Sequence, residues 1–238
     1  VEVEYEELPV IASIEEAIEN GKSFQGPSLK HGENVEEIFK KFENSPQRSN
    51  IKIINGSVKM GGQYHIYLEP NSSVVSHTSD GQYTIRPTCK NLDNARDDAA
   101  KNLNVDQNHV YVNVKRLGGS FCSKSTRATI VSTACAIASQ KLNCQVKMRL
   151  PRDIDTHIMS GDHAFLNKYK VCFDSSTGKI IALKMDFYVD AGFWYQTTSG
   201  LVIKAILHSD SCYKIPNVEV NSYLCQTNKI SSAHFRGF

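Results

Sequence analysis

The stretch "VKRLGGSFCSKSTRATIVSTACAIA", residues 114–138, joins an alternating apolar pattern to a run of small residues through two glycines. The alternation at Val110, Val112 and Val114 predicts a strand, and the small residues predict a helix that continues to about Lys141. Glycine lets a backbone turn tightly or pass close to another group, and the first N–H groups of a helix can bind an anion. The stretch alone leaves two interpretations open, a plain tight turn or a turn that holds a ligand, because it lacks a full G-x-G-x-x-G series.

The flanking patterns predict an α+β fold with mixed, largely antiparallel strands and flanking helices. Ser13 and Glu16 have the spacing of a capping box before a short helix. Asn34 precedes apolar residues at helical spacing, and residues 92–103 predict a further helix. We expect a loop over residues 21–33, because this segment contains Gly, Ser and Pro.

Alternation also predicts several strands away from the glycine turn. One covers residues 146–148, and "FLNKYKVCF" and "KIIALKMDFYV" predict two more, joined by a turn at residues 174–178. A half-buried strand is further expected at residues 1–5, where apolar and acidic residues alternate.

Composition indicates an ordinary globular protein, with 238 residues, 40% hydrophobic residues and a formal net charge of +2. That charge is too small to predict a nucleic-acid partner, and no apolar run approaches the ~20 residues that span a bilayer, so no membrane partner is expected. No secretory leader pattern is present. Seven cysteines without a C-x-x-C pair suit reduced thiols and a cytoplasmic location: Cys89, Cys122, Cys135, Cys144, Cys172, Cys212 and Cys225.

Two more glycine-containing motifs lie on either side of the opening stretch: "GGQYHIYLE" at residues 61–69 and "HFRGF" at residues 234–238. Gln63 can both donate and accept hydrogen bonds, and Arg236 stands between two aromatic residues. Each also has a purely structural interpretation, since Gln63 could satisfy a strand edge and Arg236 could stack on Phe235. The order of the three motifs along the chain is the more specific signal.

With these motifs the sequence resembles the molybdenum hydroxylases, which comprise xanthine dehydrogenases and aldehyde oxidases. The family's molybdopterin-binding domain has G-G-Q-E-H-F-Y-L-E, G-G-G-F-G-G-K and A-F-R-G-F-G, where this chain has GGQYHIYLE, GGSFCSK and HFRGF. The similarity extends over most of the chain except residues 28–50. It implies that residues 51–238 form the N-terminal part of a larger molybdopterin-binding domain, truncated at its C-terminal end. Residues 1–50 would then be a lead-in or linker segment with short helices.

The resemblance implies roles at the matching positions. Gln63 would donate to the molybdenum centre from outside its ligand shell, and no side chain of this chain would ligate the metal. The cofactor-binding positions that the resemblance assigns are Gln63, Gly118, Gly119, Phe121 and Arg236. The substrate-pocket positions are Ser125, Lys204 and Phe238.

The sequence departs from the family pattern inside the second motif and in the substrate pocket. Ser120, Cys122 and Ser123 replace family glycines, which predicts a cost of about 1 kcal/mol or more wherever the backbone needs a positive φ. Xanthine-oxidising members usually place a Glu after the Lys of this motif and an Arg before "CYKIPN"; this chain has Ser125 and Lys204. Without that carboxylate and guanidinium, the resemblance implies an aldehyde oxidase-like protein that prefers aldehydes over xanthine.

Two functions from different classes remain open. The first is part of a hydroxylase that oxidises small-molecule aldehydes or N-heterocycles as a homodimer. Its catalytic Glu is expected downstream, and its 2Fe-2S and FAD groups are expected on segments outside this chain. The second is a catalytically inactive, cofactor-free relative that keeps the fold. Three titratable side chains of this chain are interpreted as structural or solvated rather than as the base: Asp186, Asp190 and His208.

Overall fold

The computed structural model describes residues 2–44, 50–195 and 197–235. They form two compact units. Unit 1 contains the chain up to Gly62 and residues 163–232, and unit 2 contains residues 63–162 and the segment that starts at Ala233. The expected division of the chain at residue 50 stays a prediction.

Unit 1 is built on a five-stranded sheet with the order β1-β9-β8-β7-β2. Only the β8–β9 pair is parallel, and the other three pairs are antiparallel. Its elements are α1 (Ile14–Glu19), β1 (Ser23–His31), α2 (Val35–Glu43), β2 (Ile51–Met60), β7 (Phe165–Asp174), β8 (Ile180–Gly192), α6 (Thr198–Leu207) and β9 (Asn217–Gln226).

The main core of unit 1 lies between α6 and the sheet. Leu201, Val202 and Ile206 lie on one face of α6 and pack with Val189 and Val220 of the two central strands. Burying these aliphatic side chains stabilises the unit by about 1.5–3 kcal/mol each. The apolar residues at helical spacing in α6 therefore fix which face of the helix meets the sheet.

The loop expected over residues 21–33 is wrong, because β1 occupies most of it. Gly26 and Pro27 lie where the register with β9 shifts, between Gln25 and Ser28. An edge strand tolerates Gly and Pro at such a bulge, and the Pro27 carbonyl accepts a hydrogen bond from Ser222 Oγ at 2.5 Å. Gly26 and Pro27 therefore indicate a β-bulge within a strand and not a loop.

Unit 2 has a four-stranded sheet with the order β5-β4-β3-β6, in which only the β5–β4 pair is parallel. Short 3-10 turns precede β5 and α4. Its elements are β3 (Ser72–His77), β4 (Tyr83–Pro87), α3 (Leu92–Leu103), β5 (Val110–Val112), α4 (Ala128–Leu142), β6 (Val146–Arg149) and α5 (Arg152–Met159).

Small residues let α3 and α4 lie close to this sheet. Ala99 and Ala100 of α3 and Cys135 and Ala136 of α4 pack in one buried cluster with Ile85 of β4. The run of small residues that predicted α4 thus matches its packing role, since a short side chain brings a helix axis nearer to its neighbour. The helix begins only at Ala128, so it does not follow the glycine pair directly as the sequence suggested.

The α+β fold with mixed, largely antiparallel strands is confirmed. The capping box at Ser13 is present, and Asn34 caps α2 through its side chain. The strand expected at residues 1–5 is wrong for residues 2–5, which have no regular secondary structure and are exposed. In the described part of the chain, none of the helices has the length and apolar character needed to cross a bilayer.

Candidate cofactor-binding site

The glycine turn of the opening stretch packs directly against the first motif. The Glu69 N–H donates to the Gly118 carbonyl at 3.1 Å, and the Gly118 N–H donates to Glu69 Oε2 at 2.8 Å. A Cβ added at Gly118 would lie 2.5 Å from Glu69 Cβ, and one at Gly119 would lie 3.1 Å from Tyr67 Cβ. The glycines are therefore required by the close approach of two segments of this chain to each other.

Left-handed backbone conformations cluster in these two segments. Gly119 has φ +92°, Phe121 +48°, Cys122 +77° and Ile66 +41°. For residues with a Cβ this region costs about 1–3 kcal/mol, and such strain gathers at ligand sites. Ile66 is also 75% exposed although it is large and apolar, so neither intrinsic preference nor burial explains its conformation.

The three side chains that replace family glycines do not have equal effects. Cys122 adopts a positive φ, whereas Ser120 and Ser123 do not. Both serines make hydrogen bonds within the turn: Ser123 Oγ donates to the Ser120 carbonyl at 2.9 Å, and Ser120 Oγ accepts from the Lys124 N–H at 3.4 Å. Of the three replacements, only Cys122 therefore has the conformational cost that the sequence predicted.

Lys124 ends the second motif and is fully buried. Its Nζ donates to the Glu69 carbonyl at 2.8 Å and to Glu69 Oε2 at 3.0 Å, and it lies 4.6 Å from the centroid of the Tyr67 ring. Burial raises the pKa of the Glu69 carboxyl, but the Gly118 N–H and the Lys124 ammonium outweigh it, so the pKa lies below its usual value. The Glu69 carboxyl group is therefore ionised at neutral pH.

Below the turn, Tyr67 belongs to a buried polar network. Its hydroxyl donates to Asp155 Oδ2 at 2.5 Å and accepts from Asn71 Nδ2 at 2.9 Å. Burial, followed by the Asp155 carboxylate, raises the pKa of the Tyr67 hydroxyl far above its usual value. Arg152 donates to the Leu68 carbonyl at 2.7 Å. The first motif is thus held from below by α5, which supplies Arg152 and Asp155.

The start of the third motif also contacts the first. A ring nitrogen of His65, Nε2, is 2.6 Å from the His234 carbonyl oxygen, and the His65 and Phe235 rings lie 5.2 Å apart. Phe235 is also 6.5 Å from the Phe121 ring. Residues of all three motifs therefore lie close together within unit 2.

The remaining predicted positions are placed as follows. Gln63 is exposed and its main-chain carbonyl accepts from the Asp162 N–H at 2.6 Å. Ser125 Oγ donates to the Cys122 carbonyl at 3.1 Å. Lys204 lies exposed on α6 in unit 1. Arg236 and Phe238 lie outside the described residues, so the roles implied for them stay predictions.

The carboxylates interpreted as structural have protein partners. Asp190 is buried and accepts from Thr227 Oγ1 at 2.7 Å and from Lys229 Nζ at 3.1 Å. Asp186 Oδ1 accepts from Asn221 Nδ2 at 3.0 Å. His208 is exposed at the end of α6. The contacts of the two aspartates and the exposure of His208 agree with a structural or solvated role for the three side chains.

The described residues of unit 2 fit a bulky group that is approached by main chain. Gln63 and Gly118 are exposed, and the left-handed backbone at Phe121 and Cys122 follows Gly118 in the sequence. An amide side chain such as that of Gln63 can hydrogen-bond the oxygen and nitrogen atoms of a pterin, whereas the N–H and the carbonyl of Gly118 already bond to Glu69. Within the described ranges no three His, Cys, Asp or Glu side chains gather in a possible metal site.

Comparison with known proteins gives the same family for the chain as its motifs do. Residues 21–238 match the family model described as molybdopterin cofactor-binding domain. The chain is 37% identical over 240 residues to a xanthine dehydrogenase/oxidase of Felis catus, covering 100% of this chain and 17% of that protein. It is 33% identical over 238 residues to a nicotinate hydroxylase of Emericella nidulans, covering 99% of this chain and 17% of that protein.

Among solved structures, the aldehyde oxidoreductase from Desulfovibrio gigas has the same fold, with a TM-score of 0.81 at 20% identity. That likeness covers 98% of this chain and 26% of that one. The chain thus spans about a sixth of the length of the curated relatives it matches. The resemblance to the molybdenum hydroxylases is confirmed.

Sequence reasoning missed the side chains that hold the motifs together. Lys124, Tyr67 and Asp155 were not among the predicted site residues, yet each has a buried polar contact with another of them or with Glu69. One signal was available, since residues 114–138 around Lys124 contain no acidic residue, and a buried lysine there needs a carboxylate from a distant part of the chain.

Proposed function

This chain belongs to the molybdopterin cofactor-binding domain family, and from that membership we propose that it is part of a molybdenum hydroxylase that oxidises aldehydes or N-heterocycles. The chain's own contribution is to bind the cofactor and to shape one side of the substrate pocket. When bound, the molybdenum cofactor supplies the two-electron oxidation of a substrate carbon. The catalytic Glu and the 2Fe-2S and FAD groups belong, in this proposal, to other segments of a cytoplasmic homodimer.

The observation that supports this proposal is the docking of the glycine turn on the first motif, through the paired hydrogen bonds between Gly118 and Glu69. It places the second motif against the same segment that begins with Gln63. In the proposal, the Gln63 amide donates a hydrogen bond towards the cofactor, and the main chain of Gly118, Gly119 and Phe121 lies beside it. Arg236 helps to hold the cofactor, and Phe238 helps to form the substrate slot.

The substrate preference follows from two positions. Ser125 and Lys204 stand where xanthine-oxidising members usually have a Glu and an Arg, and neither can make the ionic and bidentate contacts that hold a purine. We therefore favour aldehydes over xanthine. The similarity to proteins named xanthine dehydrogenase supports xanthine as the competing substrate, so both have to be assayed together.

The test uses the full-length protein, its molybdenum content and kcat/KM for an aromatic aldehyde and for xanthine. We expect bound molybdenum and a higher kcat/KM for the aldehyde. The matched variant is Ser125→Glu combined with Lys204→Arg, in which the ratio should shift towards xanthine, by about tenfold for each bidentate or charge-assisted contact regained. A wild-type protein with the higher kcat/KM for xanthine contradicts the substrate assignment.

A second candidate is the catalytically inactive, cofactor-free relative. It is favoured by the strained Cys122, which stands at a family glycine in the cofactor turn with φ +77°. Elemental analysis separates the two candidates, because a full-length protein purified with cofactor supply and without molybdenum supports only this second one.

A further inference from the structure

Lys124 is an unusual charged residue for its position, since it is completely buried beside a loop with exposed main chain. Burying an ammonium group is costly unless it is paired and hydrogen-bonded. The described structure meets that cost with groups from one short segment of the first motif, residues 67–69. The buried ammonium group of Lys124 therefore links the second motif to residues 67–69 of the first.

The side chain and the main chain of Lys124 have different partners. The ammonium group contacts the Glu69 carbonyl, the Glu69 carboxylate and the Tyr67 ring. The main-chain N–H donates to Ser120 Oγ at 3.4 Å, and the carbonyl accepts from the Lys90 N–H at 2.8 Å. The main chain is thus held by its own turn and by Lys90, while the side chain reaches the first motif.

Each member of the Lys124–Glu69 pair has a further contact. Glu69 receives the Gly118 N–H on the same oxygen, Oε2, that receives Lys124 Nζ. Two cations lie over the Tyr67 ring, the Lys124 ammonium at 4.6 Å and the Arg152 guanidinium at 5.6 Å from its centroid. Because every one of these contacts joins the turn or α5 to residues 67–69, their joint loss would let the turn move relative to Gln63.

We infer that Lys124 is a positioning residue. Its buried ammonium group holds the turn at residues 118–122 against the segment that contains Gln63, so that both segments are in place when the cofactor binds. This inference rests on the proposed function. It assigns Lys124 no contact with cofactor or substrate. Its effect passes through Glu69 and Tyr67.

The contacts of Lys124 are expected to act only on the turn, and the alkylation rates of two cysteines of unit 2 can test this. Cys122 lies in the turn and is partly exposed, whereas Cys135 lies buried in the core between α4 and the sheet. Opening of the turn increases the rate at which a maleimide alkylates Cys122 and leaves Cys135 protected. General loss of structure in unit 2 increases both rates.

The experiment compares full-length wild type with Lys124→Met, Glu69→Gln and the matched control Lys90→Met. Met keeps a long apolar stem without the charge, Gln keeps an acceptor oxygen without the charge, and Lys90 has an exposed side chain. Alkylation of each cysteine is followed by peptide mass spectrometry on protein from a host that makes no molybdopterin. Molybdenum content is measured on protein from a host that does.

We expect the maleimide to alkylate Cys122 at least about tenfold faster in Lys124→Met than in wild type, because the hydrogen bonds that are lost involve charged groups. Its Cys135 rate should match wild type, and its molybdenum content should fall clearly below wild type. Glu69→Gln should lie between the two, and it serves as the test if Lys124→Met does not fold. Lys90→Met should behave as wild type in both measurements.

Three results would overturn the inference alone: an unchanged Cys122 rate, Cys122 and Cys135 rates that rise together, or normal molybdenum content in Lys124→Met while wild type is loaded. A wild type without molybdenum overturns the proposed function, and this inference with it. The two failures are therefore distinguished by the molybdenum content of the wild type.

Discussion

Replacing Gly118 by alanine tests how strictly the two motifs depend on their close approach. The new Cβ would lie 2.5 Å from Glu69 Cβ, whereas carbon atoms in contact are normally about 3.5–4.0 Å apart. Since Glu69 Cβ is fixed to the main chain, one segment has to move by about 1 Å. Overpacking of this kind costs about 1–3 kcal/mol, and the weakened charge-assisted hydrogen bond from the Gly118 N–H adds to it. A local cost of about 3 kcal/mol corresponds to about a hundredfold in the opening equilibrium.

Hydrogen exchange followed by mass spectrometry measures that opening at the amide of Glu69, which donates to the Gly118 carbonyl. We expect its protection to fall about a hundredfold in Gly118→Ala. The control is Gly200→Ala, at a helical glycine where an added Cβ meets nothing within 4 Å. If Gly118→Ala protects Glu69 as well as the control does, the steric argument for the glycine pair is wrong.

Three further predictions concern stability. Cys122→Gly should raise the free energy of unfolding by about 1 kcal/mol in urea titrations, because a left-handed residue loses its Cβ; a decrease would show that the thiol contributes more than the strain costs. The pKa of Glu69 is lowered by the Gly118 N–H and Lys124 against an opposing effect of burial, so its stabilisation is present above the unfolded pKa and lost as pH falls through the folded one. The stability difference between wild type and Glu69→Gln should therefore shrink below about pH 4, and a constant difference from pH 7 to 3 would refute this. Gly200→Ala should stabilise α6 by up to about 1 kcal/mol, measured as an increase in the urea midpoint.

The helices were largely predictable because their signals are local. The N-cap at Asn34 and the apolar spacing after it give α2, and residues 92–103 give the bounds of α3. The bulged strand β1 was not predictable from Gly26 and Pro27, since the hydrogen bond that holds the bulge comes from Ser222 far along the chain. Local signals describe a segment but not its distant partner.

In the candidate site, too, the local patterns were predictable and the distant contacts were not. The motifs at Gln63 and Gly118 were recognisable as patterns, but the reason for the glycines was not, because the group that approaches them is Glu69 of the same chain. The burial of Lys124 was equally hidden, since it depends on a carboxylate that lies in another motif. Pairings across long sequence separations need the fold before they can be identified.

The two units become able to fold at different times during synthesis, because in the sequence most of unit 2 lies between the first two strands of unit 1 and the last three. The strands of unit 2 all lie between Ser72 and Arg149, so its sheet can close on the nascent chain at once. In contrast, Ser23 of β1 pairs with Cys225, and Met60 of β2 pairs with Phe165. The ribosome therefore releases β1 and β2 long before their partners exist, and any substitution that slows translation or folding of unit 2 prolongs the time for which two unpaired strands can aggregate.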